Sequence, residues 1–465
     1  MNIEMVGRAL AERASWLLSF VLLCGCSRTP DASDLILVGI DTLRADHLSL
    51  YGYGRETSPN LDAFAQGGMV FERAYAGSSW TLPSMAMLWT GKTRAHNSGD
   101  LNGDPAGLAE RLSFEGYETC GIVSNALLHP DKGWDRGFDE YHVYVPDGRS
   151  RANGWPAAEV VRRGVSWLDR RQERKPRFLF LFLFDPHDPY RPAVPGRFPA
   201  YDTPERFEAF QRALPAERQA LFSKDVYAGI EQRHALYDAE IAEADAALGD
   251  LFGYLERSGR DQRTNVVFFS DHGEGLWQRA KLRGENDKSF AFFPELYFDH
   301  GVMLHEEQVR VPLVLSGPGV PEGVRVSTPV ATVDVVPTLI QLLGLDAVGD
   351  VSGLDLLDGE ALGQRRELLS FSSRGASVLM DGRYRLHVPR SYRVKEHQAE
   401  PELYDLESDP LEIEPIDEPQ ILARGLERLT DWSRTEARNA NSKPIDTAER
   451  ARLIALGYLN GEADR

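Results

Sequence analysis

Apolar residues gather in five short runs along the chain, and most of these runs stop at a strongly polar residue. The runs cover 35–40, 119–123, 178–184, 265–270 and 311–316. The first stops at Asp41-Thr42, the second at Ser124-Asn125 and the third at Asp185-Pro186-His187-Asp188. The fourth stops at Asp271-His272-Gly273-Glu274. Continuous apolar runs of this length predict strands buried on both faces, as in a parallel sheet. Between them, residues 58–65 read as a helix capped by Ser58, residues 108–112 as helical, and residues 70–75 as a short strand. Leu236, Leu248, Leu251 and Leu255 recur at helical spacing and predict a long amphipathic helix over 234–257. Strands alternating with helices predict an α/β fold, with a mainly parallel sheet flanked by helices on both faces. Ligands of such sheets gather beyond the carboxyl ends of the strands, where the polar residues stand here.

The pattern changes after about residue 360. Segments 368–371, 378–386 and 402–406 are shorter and alternate, and Asp381-Gly382 is a hairpin turn signal. They predict antiparallel strands, with a helix over 421–432 packed on them. The chain thus divides into a main domain at 35–360 and a small C-terminal α+β subdomain at 361–465. Residues 191–233 are polar and proline-punctuated, and read as a surface excursion with helical pieces.

The first 26 residues have a different texture. Arg8 and Arg13 precede an apolar stretch at 16–23 that is short for a transmembrane helix and matches a signal-peptide core. Leu23-Cys24-Gly25-Cys26 resembles a bacterial lipobox, which implies a signal peptide at 1–26, lipidation of Cys26 and a tether at 27–34. A plain secretory signal with an incidental cysteine is the alternative. Ser27 after Cys26 favours, by analogy, the outer membrane. The expectation is an exported protein of the outer membrane or periplasm, touching the membrane through its lipid anchor alone. Cys120 is then the one cysteine left without a partner, so no disulfide framework is expected.

Composition narrows the function. With 52 Lys+Arg against 71 Asp+Glu, the formal net charge is -19, which excludes non-specific nucleic-acid binding. An anionic substrate remains admissible, because bound cations invert the local field. The strand-end residues Asp41, Asp185 with His187, Asp271 with His272, and His300 combine carboxylates with imidazoles. That set suits Zn²⁺ or Mn²⁺ before Ca²⁺ or Mg²⁺. A further segment, Gly77-Ser78-Ser79-Trp80-Thr81-Leu82-Pro83-Ser84, reads as a loop entering a helix, with Pro83 at the first helical position. Ser79 or Thr81 could serve there as an ordinary helix cap. A hydroxyl at that place also lies where a helix amino terminus stabilises anions.

Residues 38–48, with Tyr51-Gly52-Tyr53 and 57–62, resemble the sulfatase family of the alkaline phosphatase superfamily. The loop at 77–84 is similar to that family's nucleophile segment, and 270–274 to its second metal motif. Leu403-Tyr404-Asp405-Leu406 with Asp409-Pro410 resembles its C-terminal domain. The resemblance implies a hydrolase of sulfate, phosphate or phosphonate esters that depends on one or two divalent ions and acts on a small-molecule, glycan or lipid ester. Four departures stand out. Thr81 occupies the position of the cysteine or serine that becomes formylglycine, Met85 that of an arginine, and Thr42 that of a second acidic ligand. No lysine follows Val123 in Ser124-Asn125-Ala126. Thr-nucleophile branches of the superfamily act on phosphate esters. The resemblance therefore implies Asp41, Asp271, His272 and Thr81 around one metal, with Thr81 also the nucleophile. Asp185, His187 and His300 are expected to hold a second metal or serve the leaving group, with His305 as runner-up to His300. Asn125 is a candidate donor to a non-bridging oxygen. A phosphoethanolamine-type transferase and a non-catalytic binding protein of the same fold are the competing readings.

Overall fold

The computed structural model describes residues 33–439, except 94–98, 103, 105, 147–153, 171–174, 214–218, 220–221, 277–299, 347–350, 365–366, 374 and 390–399. The signal-peptide segment with Cys26, and most of the loop before His300, lie outside the described residues. No helix among those described is long and apolar enough to cross a membrane.

Among the described residues, fifteen strands form three sheets: β1 (Asp34–Ile40), β2 (Gly68–Phe71), β3 (Ala74–Tyr75), β4 (Glu118–Val123), β5 (Glu140–Val143), β6 (Arg177–Leu183), β7 (Thr264–Ser270), β8 (Arg310–Val311), β9 (Leu313–Ser316), β10 (Val324–Val326), β11 (Val330–Ala331), β12 (Glu367–Ser372), β13 (Gly375–Met380), β14 (Tyr384–Pro389) and β15 (Glu402–Asp405). The main sheet has the order β10-β2-β9-β7-β1-β6-β4-β5. Its pairings are parallel except where β9 runs against both β7 and β2, so the sheet is mixed with a parallel centre. The run expected at 311–316 is broken by Pro312, which lacks the N–H a continuous ladder needs, into β8 and β9.

Within β6 the sequence alternates Phe and Leu, and the two residue types go to opposite faces. Phe178, Phe180 and Phe182 join one core layer with Trp89, while Leu179, Leu181 and Leu183 join the other with Tyr237 and Leu248. β1 divides likewise: Leu35 and Leu37 face the first layer, Ile36, Val38 and Ile40 the second. Period-two alternation of two apolar types is how one strand serves two helical layers. Helices Thr81–Thr90, Leu108–Phe114 and Val335–Leu342 cover the aromatic face; Pro59–Ala65, Ala157–Leu168 and Lys224–Ser258 cover the other. The long helix starts ten residues before its expected position, because Ser223 accepts a hydrogen bond from the Val226 N–H at 3.2 Å and caps it there.

The C-terminal strands form an antiparallel sheet, β12-β13-β14-β15, with the tight turn at Asp381-Gly382 between β13 and β14. Leu429 and Leu426 of the helix Pro419–Asn439 pack on Val378, Met380 and Leu386.

Gly39 tests how closely the centre is packed. A Cβ there would lie 2.7 Å from ring atoms of both Phe182 and Phe269. Gly39→Ala is expected to lower unfolding stability by about 1–3 kcal/mol through overpacking, read from the shift in urea midpoint.

Candidate active site

The register of the sheet brings the first two candidates together. β1 and β7 run parallel with Ile40 opposite Ser270, so the next residues, Asp41 and Asp271, leave the same edge side by side. The strand-following loop turns back sharply at Thr42, whose φ is +54°, a conformation that costs a β-branched residue of order 1–3 kcal/mol. Three contacts hold it. The Thr42 N–H donates to Asp271 Oδ1 at 3.2 Å, and Tyr237 donates to the Thr42 carbonyl at 2.7 Å. Tyr237 also accepts from the Arg44 N–H at 2.9 Å.

Thr81 reaches this edge from the aromatic face. The helix Thr81–Thr90 begins at Thr81, with Trp80 as N-cap, so Pro83 falls at the third helical position rather than the first. It stays within the first turn, where its missing N–H costs nothing. Trp89 anchors the other end of the helix against Phe180, ring centroids 4.9 Å apart. No side chain caps the helix: the Thr81 hydroxyl lies 3.2 Å from His272 Nε2 instead. Ser84, one turn on, donates to the Asp271 carbonyl at 2.5 Å.

Asp41, Thr81, Asp271 and His272 are all fully buried. His272 Nδ1 lies 2.8 Å from the Gly273 carbonyl, so it carries the proton and Nε2 presents its lone pair. Nε2 is 3.7 Å from Asp41 Oδ1 and 3.4 Å from Asp271 Oδ2. Neither of those carboxylate oxygens has a hydrogen-bond partner. Burial, aggravated for Asp271 by the neighbouring Asp41, pushes both carboxyls well above the usual range. Burial and the nearby His300 hold His272 low, so its imidazole is neutral. Two buried oxygens left unsatisfied beside a neutral imidazole form a donor set that a divalent cation completes. Ligand atoms of Asp41, Asp271 and His272 lie within 4.8 Å of one another, a spread that fits coordination around one ion. The three residues are a candidate divalent-metal site.

The other expected residues divide. Asn125 donates from Nδ2 to Asp41 Oδ2 at 2.6 Å, and its Oδ1 accepts the Leu127 N–H at 2.8 Å, which fixes the amide's orientation. It therefore orients a ligand carboxylate rather than facing open substrate space. Asp185 accepts the Ala157 N–H at 2.8 Å, at the start of the helix Ala157–Leu168; burial raises its carboxyl to about 6. Among the described residues it joins no ligand group with His187 and His300. Those two imidazoles do approach the site. His300 lies 4.6 Å from His272 between ring centroids, and His187 packs edge-on against His300 at 4.9 Å. Burial, then His300, lowers His187 to about 3. His305 sits elsewhere, its ring 4.2 Å from His387 of the C-terminal sheet.

Residues outside the expected ligand set complete the site. Glu274 meets His300 Nδ1 at 3.3 Å, and Arg44 donates to the Glu274 carbonyl at 3.1 Å. Gly273 is needed for close approach, since a Cβ there would sit 2.2 Å from the Glu307 carbonyl. The strand β12 braces two loops at once. Ser370 donates to the Ala76 carbonyl at 2.7 Å, the Phe371 N–H to Gly77 at 2.8 Å, and Ser372 to Val302 at 2.8 Å. Tyr237 and the β12 serines could not be singled out in sequence, because ordinary helix and strand positions surround them.

A family profile described as Sulfatase matches residues 33–345. Arylsulfatase K of Xenopus laevis is 22% identical over 474 residues, covering 87% of this chain and 84% of that protein. Phosphonate monoester hydrolase of Agrobacterium radiobacter superposes with a TM-score of 0.60 at 21% identity, covering 91% of this chain and 95% of that one. A protein solved in complex with its substrate D-glucosamine-2-N,6-O-disulfate superposes with a TM-score of 0.66 at 19% identity, covering 88% and 99%. At such identities the superpositions speak for the fold.

Two measurements check the metal site. Asn125→Ala should weaken divalent-metal affinity by about 10–100-fold, read by competition with a chelating dye, because Asp41 loses its orienting partner. A cation must displace the protons that the raised Asp41 and Asp271 carboxyls hold. Apparent affinity should therefore fall as pH drops through neutrality, by at least about tenfold per unit, while an unchanged affinity between pH 8 and pH 6 would contradict this assignment.

Proposed function

The chain belongs to the sulfatase family, and from that premise we propose that it hydrolyses anionic esters with Thr81 as nucleophile. Asp41, Asp271 and His272 hold one divalent cation in this reading. The observation that carries it is the Thr81 hydroxyl, 3.2 Å from His272 Nε2 and beside two buried carboxylates with an unpartnered oxygen each. A helix-capping hydroxyl would face backbone N–H groups; this one faces the ligand set.

The cation, when bound, supplies Lewis acidity that favours the ionised hydroxyl and draws electrons from the ester's non-bridging oxygens. The chain's own residues do the rest. Thr81 Oγ attacks sulfur or phosphorus, forming a covalent ester as the bond to the leaving oxygen breaks. His300, positioned by Glu274, is the proton donor to that oxygen. The amino terminus of the helix Thr81–Thr90, where Thr81 stands, would stabilise the charge that develops on the ester oxygens. Water then cleaves the Thr81 ester, and in the transferase alternative an acceptor hydroxyl takes its place.

Thr81 carries no formylglycine, and Met85 is buried in the apolar core, so neither contributes the aldehyde hydrate or arginine of a typical sulfatase. Phosphate and phosphonate esters are therefore substrates on a par with sulfate esters, in keeping with the fold shared with a phosphonate monoester hydrolase. Export and anchoring through Cys26 rest on the amino-terminal sequence alone and form part of the same proposal.

Paired assays with aryl sulfate, phosphate monoester, phosphate diester and phosphonate, each with Zn²⁺, Mn²⁺ or Ca²⁺, identify the ester class. Thr81→Ala should reduce turnover by at least about 10³-fold with metal content per chain unchanged. Wild-type rates in that variant would sink the nucleophile assignment.

A further inference from the structure

The amino-terminal end of β1 is clamped from several directions, far from the site. Asp34 is buried. Its Oδ1 accepts the Arg177 N–H at 2.9 Å, and its Oδ2 accepts from Arg260 Nη1 at 3.0 Å and Arg263 Nη2 at 2.7 Å. One residue earlier, the Ser33 carbonyl accepts from the Tyr117 hydroxyl at 3.1 Å. Charge-assisted bonds from two guanidiniums to one buried carboxylate hold the backbone in place. The point where the segment 27–33 joins the fold is therefore fixed. It lies at the edge of the sheet where β4, β6 and β7 also begin.

β1 measures the distance from that root to the site. Its seven residues rise about 3.3 Å each, so Asp41 stands about 23 Å from the root, at the opposite edge of the sheet. Fully extended, the seven residues from Ser27 to Ser33 reach at most about 25 Å. A straight path is closed to them, because the body of the protein fills it. β1 is fifth in the eight-stranded sheet, with three strands on one side and four on the other, and helices cover both faces. Passing the nearer sheet edge adds about 14 Å, and passing a helical layer about 10 Å. The shortest way from Ser33 to the level of the site is thus about 33 Å, which exceeds the reach of the tether. We propose that the protein, anchored through Cys26, cannot turn its site to the bilayer that holds it, and that its substrate is an ester arriving through water. Esters on lipid headgroups of the same leaflet lie out of reach, and the same limit applies to a lipid acceptor in the transferase alternative. The inference rests on the lipidation of Cys26 and on the ester chemistry at Thr81.

The test uses the full-length protein, expressed with its own amino-terminal segment and reconstituted in vesicles of phosphatidylethanolamine and phosphatidylglycerol. Mass spectrometry first reads Cys26. Absence of an acyl group overturns the anchor and this inference together, and leaves the hydrolase reading intact. A donor fluorophore is then placed through Phe114→Cys or Val145→Cys, with acceptor-labelled lipid in the vesicle. Phe114 is 89% exposed and stands just before β4, at the edge of the root; Val145 is 57% exposed and stands just after β5, at the edge of the site. Cys120 is buried and stays unlabelled. Energy transfer should be at least twofold more efficient from position 114 than from position 145. A 60-residue Gly/Ser insertion after Thr29, spanning about 40–50 Å on average, should bring the two efficiencies together. Equal transfer from both positions without the insertion overturns the orientation. Turnover then reads the substrate limit, with a water-soluble aryl ester compared to the same ester group carried on a lipid of the same vesicle. The ratio of lipid-borne to soluble turnover should be at least tenfold lower with the natural tether than with the insertion, and equal ratios overturn the restriction. Failure to cleave the soluble ester counts against the hydrolase reading alone, since energy transfer decides the orientation without it.

Discussion

Two carboxylates, Asp41 and Asp271, are held side by side out of water, and the architecture at the carboxyl edge of the sheet answers to their repulsion. Ionised together, two such groups a few ångströms apart would repel by about 4 kcal/mol even at an effective dielectric near 20, on top of the burial that already favours their protonated forms. The protein offsets part of this with neutral donors. Asn125 bonds the outer oxygen of Asp41, and the N–H groups of Thr42 and His272 bond Asp271 Oδ1. One oxygen of each carboxylate is left facing inward, toward the neutral His272 nitrogen. That arrangement is poor as a structural pair and well suited to a cation.

The rest of the molecule keeps this arrangement from relaxing. Parallel strands deliver both acids to one level, and a strained Thr42 aims the chain back, clamped by Tyr237 from the long helix. From the opposite layer, Trp89 on the aromatic face of β6 sets the depth of the helix that presents Thr81. β12 of the C-terminal sheet then ties the Thr81 loop and the His300 loop through neighbouring residues, and Phe371 stacks on Trp432 at 3.9 Å. The small sheet is thus a brace for the site.

The departures from the family pattern have physical consequences in the fold. Met85 stands in the core, so its position brings no charge to the ester. Asn125, where a lysine would be expected nearby, serves a ligand carboxylate. In the proposed reading, both changes reduce fixed positive charge around the Thr81 hydroxyl and would leave a bound cation and the helix terminus to balance an anionic ester.

The sequence by itself determined the central strands β1, β4, β6 and β7, because continuous apolar runs between polar stops can only be buried, and those stops fell at one edge of the sheet; the short strands β5, β10 and β11 carry no such run. It also singled out Asp41, Thr81, Asp271 and His272, which the fold gathers at that edge. What each hydroxyl or amide faces was decided by tertiary structure. Whether Thr81 caps a helix or meets His272, whether Asn125 points to solvent or to Asp41, and whether Asp185 joins His187 or caps the helix Ala157–Leu168 depend on contacts between residues far apart in the chain. The same holds for Tyr237 and Ser370, whose partners lie 195 and 294 positions away. Local pattern records burial and backbone preference; the direction of a polar side chain is settled only when packing brings distant groups into reach.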